Sequence, residues 1–194
     1  MNTDEFWSLI KTARETCKTD GSVLKYLKKK ISEKSEKEIG EFDSIYVHYV
    51  RIAEAAPAAL LIYEISGSRT ALASEGKGYT FITGDSFFYF CFWLVSLGKD
   101  LFFSALENPD VLAGRTKKNQ FKNHEYFLYI ASEAYEKKTG SMEGYEQIAD
   151  ADYGIKYKDK KIKNIKLPRD WKKFPELCPN LCRMFKYSSP KELE

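Results

Sequence analysis

Eleven consecutive residues, Phe87 to Leu97, carry no formal charge and a single small polar side chain, Ser96. A helix that is apolar on every face must be buried on every face. A strand usually runs about five or six residues, so a helix is the better reading of this run. Asp85 and Ser86 stand where they can cap the free N–H groups of its first turn, and Gly98 suits its C-terminal stop. Crossing a bilayer needs roughly 20 apolar residues, and Lys99 and Asp100 end this run at about half that. The stretch predicts a core helix, with the rest of the chain wrapped around it.

A chain of 194 residues fits one domain. Its 43% hydrophobic and 15% aromatic content is ample for such a core and argues against wholesale disorder. Charge is unevenly placed. Residues 153–173 hold nine Lys or Arg against Asp159 and Asp170, a local +7, so the remainder carries −4 of a total of +3. Cys17, Cys91, Cys178 and Cys182 are too scattered for a disulfide framework, and the start MNTDEFW has acids where a signal peptide would be basic. A reducing, cytoplasmic setting and a soluble protein with no membrane partner are expected.

Along the chain, Asn2 with Glu5 reads as a capping-box-like start, followed by Phe6, Leu9, Ile10, Ala13 and Cys17 at helical spacing. Ser22 opens a second helix with Val23, Leu24, Leu27 and Ile31 inward, and Lys25, Lys28, Lys29 and Lys30 on a solvated outer face. Ser35 with Glu38 opens a third, carrying Ile39, Phe42, Tyr46, Tyr49, Val50 and Ala53. Pro57 either kinks this helix or sits in the first turn of the next. Residues 67–84 suggest a loop or hairpin with Tyr79, Phe81 and Ile82 alternating. After the core helix come a short helix over Leu101–Leu106, ended by Asn108-Pro109-Asp110, then a polar connector. A helix through Tyr126–Tyr135 stops at Gly140. Ile155, Tyr157, Ile162 and Ile165 lie among lysines with a possible turn at Asp159-Lys160, which suggests a small hairpin. A last short helix spans about Leu177 to Phe185. The expected fold is mainly α: one compact helical domain with a small β-hairpin or irregular element near residues 153–166.

Several of these residues fit a known pattern. The matching pieces are Asp4 to Ile10, Glu38-Ile39, Phe42-Asp43, Asp85-Ser86-Phe87, Tyr89-Phe90, Trp93-Leu94-Val95, Gly98-Lys99, and Ala105-Leu106 before Asn108-Pro109-Asp110. Glu133 to Gly140 and a Pro-x-Leu-x-x-x-Phe ending from Pro179 to Phe185 complete the match. The chain resembles a bacterial family designated only as a domain of unknown function, number four-two-four-zero, and that resemblance implies no activity. Cys91 stands where the family usually has Arg and Leu97 where it has Gln. Of an acidic pair expected before the central helix only Asp85 remains. If those polar residues form a site, this chain has lost it.

No catalytic constellation emerges from spacing. His48 and His124 have no cysteine at ligand spacing, Cys178 and Cys182 are separated by three residues, and no motif implies a metal or cofactor. Cys91 inside the core helix is expected to be an inert thiol. Glu38 with Glu41, and Asp43 beside Phe42, read as helix-surface charges. Asp85 is a cap or a site residue. The feature above background is the basic segment, where Lys156, Lys158, Lys160, Lys161 and Lys163 interleave with Tyr157 and Trp171. That composition serves a solvated hairpin, an acidic protein partner, or a nucleic-acid backbone with stacked bases. The reading that follows is a non-catalytic protein-interaction domain, an immunity-type protein that neutralises a toxin being one form of it. The alternatives are an enzyme with an unrecognised carboxylate and tyrosine site, and a nucleic-acid binder.

Overall fold

Three reciprocal caps open the first three helices of the computed structural model, which describes residues 1–68, 71–74, 78–81, 83–121, 124–157, 159–187 and 191–192. Asn2 and Glu5 cap α1 (Thr3–Thr16), Thr19 and Ser22 cap α2 (Asp20–Ser32), and Ser35 and Glu38 cap α3 (Glu36–Glu54). Each pair satisfies N–H groups that a helix start leaves bare. The N–H and hydroxyl of Ser35, with Lys34 beside them, hold the Glu38 carboxyl down at about 2.

Pro57 does not kink α3. It stands in the first turn of a separate helix, α4 (Pro57–Tyr63), and the chain bends by 82° at the break. A π-type turn, Glu64–Ser68, follows, with Gly67 in the left-handed region at φ 104°. The 67–84 stretch contains a hairpin: β1 (Ala71–Ser74) pairs antiparallel with β2 (Gly78–Phe81), Ala71 facing Phe81. Ile82 lies outside the described residues. A two-residue β3 (Lys191–Glu192) adds in parallel to the other edge of β1, giving the order β2-β1-β3.

The predicted core helix is α5 (Asp85–Ser96), and Phe90, Cys91, Phe92, Trp93, Leu94 and Val95 are fully buried. Its start differs from expectation. The cap position is Gly84, and Asp85 is an exposed first-turn residue whose charge suits the helix dipole. Gly98, at φ 98°, takes the backbone from α5 into α6 (Lys99–Glu107). The long α3 lies along α5, and the Tyr46 hydroxyl donates to the Phe92 carbonyl at 2.8 Å. Phe6, Phe42, Tyr46, Tyr49, Phe90, Phe92, Trp93 and Phe102 form the aromatic centre.

A polar clamp locks α1, α2 and the end of α5 together. Arg14 donates to the Ser96 carbonyl at 2.7 Å and to its hydroxyl at 2.6 Å, and its guanidinium also pairs with Asp20. Asp20 in turn accepts the Trp93 indole N–H at 3.2 Å. A cation thereby satisfies a carbonyl that the last turn of α5 leaves free.

The expected polar connector after Asp110 is a set of 3-10 turns, Pro109–Gly114, Lys118–Phe121 and Glu125–Phe127, that send Leu112, Phe121 and Phe127 into the core. They lead into α7 (Ile130–Thr139), which packs along α2, and α8 (Tyr145–Ala149), which packs on α3. Gly140 ends α7 in the left-handed conformation, as its position suggests. After residues 150–170 come α9 (Phe174–Leu177) and α10 (Pro179–Phe185). The domain is mainly α. Among the described residues no single helix is long and apolar enough to cross a membrane.

Candidate interaction surface

Of the two forms expected near residues 153–166, the basic segment takes the irregular one, a strap: its described residues there have no strand pairing. Tyr153, Ile155 and Tyr157, then Ile162, Ile165 and Leu167, are partly buried against the helical body, while the intervening described lysines are exposed. Period-two alternation reports one buried face and does not say what buries it. Here helices do so, and no second strand is needed.

Side-chain contacts with α3 and α6 hold the strap. The Tyr157 ring stacks on His48 of α3, with centroids 3.6 Å apart and planes at 16°. Asp159 accepts from or is paired with the same imidazole, 2.8 Å from Nε2. Glu107, ending α6, pairs with Lys160 at 2.7 Å and accepts the Lys163 backbone N–H at 3.3 Å. These bonds lower the Glu107 carboxyl pKa, the Lys160 hydrogen bond foremost. Farther on, the Tyr79 hydroxyl donates to the Pro168 carbonyl at 2.8 Å.

Upstream, the strap covers a carboxyl that sequence reading left on the surface. Asp43 of α3 lies beneath α8, hydrogen-bonded to the Tyr145 hydroxyl, and burial pushes its pKa up to about 6. The Tyr153 hydroxyl donates to the Ile148 carbonyl at 2.7 Å, directly over Gly40. Gly40 is the sequence signal for this crossing, since a glycine inside a helix invites the question of what lies close to it.

Lys156, Tyr157, Lys160, Lys161 and Lys163 therefore lie together on the strap, and Lys158 falls outside the described residues. Lys160 is engaged by Glu107, whereas Lys156, Lys161 and Lys163 stand exposed. Trp171 opens a 3-10 turn, Trp171–Lys173, partly buried with the Lys172 ammonium 5.8 Å from its ring centre. Asp85 belongs to the start of α5 and not to the strap. Burial raises the thiol pKa of Cys91, of Cys178 and of Cys182, the last to about 11, so none is poised as a nucleophile at neutral pH.

Sequence reading passed over a second basic feature. Three of the lysines assigned to a solvated face of α2, Lys25, Lys28 and Lys29, flank a groove of about 410 Å³ that α7 closes with Lys137. Lysines at i, i+3 and i+4 were its only signal, and they are common on exposed helices.

No curated protein and no solved structure matches the chain. A family model matches residues 1–137, from α1 into α7, including the block from Asp85 to Asp110 and stopping short of the strap and the Pro179 ending. With that much of its length covered, the chain belongs to the family described as protein of unknown function (DUF4240).

Proposed function

We propose that this chain is a non-catalytic protein-interaction domain whose basic strap seats an acidic protein partner. The observation that carries the proposal is a row of exposed cations, Lys156, Lys161 and Lys163, on a backbone whose alternate side chains are seated in the helical body. Cations held on an ordered chain cost less to immobilise on binding than cations on a free tail. Facing an acidic surface, they raise the association rate and fix orientation.

The aromatic residues count against nucleic acid. Stacking a base needs an open ring face, and one face of Tyr157 is occupied by His48. Trp171 is partly buried. For an enzyme, one carboxylate and tyrosine brought together are Asp43 and Tyr145, which bond each other beneath Tyr153 and so serve to fasten α8. In its finer form the proposal has a toxin as the partner, neutralised in a bacterial cytoplasm by being covered.

The test compares the wild type with K156E/K161E/K163E as bait in the native cell, alongside oligonucleotide binding by both. The expected result is a protein retained by the wild type and lost from the variant, with both baits melting alike. Identical retention by both would overturn the proposal. So would a Kd below about 1 μM for a mixed-sequence oligonucleotide at physiological salt, tighter than ordinary non-specific binding.

A further inference from the structure

The groove between α2 and α7 combines a positive rim with an apolar floor. Lys25, Lys28 and Lys29 line it from α2 and Lys137 from α7, while Leu24 and Tyr126 supply the apolar surface. Lys28 pairs with Glu133, and Lys30 outside the groove takes Glu33. Lys25, Lys29 and Lys137 are exposed and form no ion pair among the described residues. Lys29 and Lys137 lie in the field of Glu33, which stands outside the lining, yet five lysines (Lys25, Lys28, Lys29, Lys30 and Lys137) face two glutamates (Glu33 and Glu133) around a space of about 410 Å³ with no acidic side chain in its lining. Like charges held this close repel, and an anionic occupant relieves that repulsion.

Two further features point to an occupant with an apolar part. Tyr126 is 57% exposed, one of two large apolar side chains so exposed among the described residues. Gly21 also lines the groove, in the first turn of α2, and a Cβ there would meet nothing within 4 Å. Packing within the chain therefore gives no reason for glycine, and alanine would favour the helix. A bare backbone at a groove wall lets another chain approach closely.

We infer that this groove docks an acidic peptide segment of another protein, with one apolar or aromatic side chain on Leu24 and Tyr126 and flanking carboxylates on Lys25, Lys29 and Lys137. Charge complementarity selects the acidic segment. The lining has lysines and no arginine; single-point ammonium donors suit carboxylates spread along a peptide, whereas a bidentate grip on phosphate calls on the guanidinium fork. A space for one large side chain also fits a peptide anchor better than the continuous track a nucleic-acid backbone requires. The site is separate from the strap and does not depend on the strap's role.

The probe is a short fluorescent peptide of Glu and Asp residues around a central Leu-Trp pair, titrated at low salt with the full chain. The wild type binds it, and K25E/K29E, which alters exposed residues, weakens binding by about tenfold or more while melting like the wild type. Gly21→Ala also weakens binding although its melting temperature is unchanged or raised. K156E/K161E/K163E binds the peptide as the wild type does. The inference is overturned if the wild type shows no binding, if K25E/K29E binds undiminished, or if the peptide with its Leu-Trp pair replaced by Gly-Gly binds equally. It is likewise overturned if an oligonucleotide or anionic vesicles bind more tightly than the peptide with the same lysine dependence. Loss of the peptide from the strap variant alone would sink the groove and leave the strap proposal standing.

Discussion

Asp110 caps a helix seventy-one residues away: its Oδ1 accepts the backbone N–H of Leu181 at 2.8 Å. The same carboxylate accepts the Asn180 backbone N–H at 2.9 Å and its side-chain amide at 2.7 Å. The cap position of α10 is Cys178, which makes no side-chain cap bond, so the 3-10 turn after α6 provides what α10 lacks. A lost helix cap costs about 1 kcal/mol, at most about 2. Asp110→Ala is expected to lower stability by that amount in urea unfolding, and to speed amide exchange in α10 while α3 and α5 stay protected. Uniform exchange rates across all three helices would refute a local docking role.

This relationship also marks the limit of what the sequence discloses. Local signals were readable: Asn2 with Glu5, Ser35 with Glu38 and Pro57 each act within a few residues, and each sits where its chemistry suggests. The core helix was readable because eleven uncharged residues leave no face for water. Asp110 was visible only as part of a helix-stopping Asn-Pro-Asp, since its partners are remote in the chain. Asp85 was misassigned as a cap for a related reason. The cap position falls on Gly84, which has no side chain to cap with, and the acid moves one place into the helix. The strap was half-readable: its alternation was correct, while the helices that cover it are distant in sequence. Asp43 looked like surface charge because burial by α8 and Tyr153 comes from residues more than a hundred places on.

Asp43 predicts a dependence on pH. Its carboxyl is raised from 3.8 to about 6, chiefly by burial and with Asp150 nearby, against the opposing Tyr145 hydrogen bond. The folded state therefore holds a proton that the unfolded state has lost, and stability falls as pH rises from about 4 to about 6. Above that window the cost is on the order of 2–3 kcal/mol. Asp43→Asn keeps an acceptor for Tyr145 and removes the charge. It should be more stable than the wild type at pH 8 and no more stable at pH 4, by urea denaturation at both values. Equal stability at pH 8 would show that the carboxylate is solvated.

His124 acts in the opposite sense. It is buried against Phe90 and Trp93, with ring centroids at 5.4 and 4.9 Å, and Nε2 lies 3.2 Å from the Gln120 carbonyl. Burial lowers its pKa from 6.5 to about 4, although the Gln120 bond and Asp20 pull upward. The unfolded chain then binds the extra proton, so stability is complete above about pH 6.5 and is lost toward pH 4, by up to about 3 kcal/mol. Between pH 4 and 6 this slope opposes that of Asp43, so the wild type should be nearly level there. Asp43→Asn brings the His124 acid limb into view, with stability falling toward pH 4, whereas His124→Gln, which retains a donor, leaves Asp43 alone and should lose stability as pH rises from 4 to 6. The double variant should again be nearly level, and an Asp43→Asn variant without an acid limb would show that His124 is not buried neutral.

Gly40 reports whether the strap is docked. A Cβ at this position of α3 would lie 1.9 Å from the Tyr153 hydroxyl oxygen and 2.5 Å from the Ile148 carbonyl oxygen, closer than atoms can approach. The first contact is relieved by moving a side chain, but the second involves backbone, so α8 itself must shift. On an open helix surface, replacing glycine by alanine would stabilise by about 1 kcal/mol. Here the overlap should reverse that sign, costing about 1–3 kcal/mol. Tyr153 is the first inward anchor of the strap, so its eviction should also expose the chain beside Lys156 to trypsin. Gly40→Ala is thus expected to melt lower and to be cut faster at Lys156 than the wild type, with α5 still protected from amide exchange. A variant that melts at or above the wild type would mean that α8 and Tyr153 do not lie against α3, and the ordered row of lysines on which the strap proposal depends would go with them.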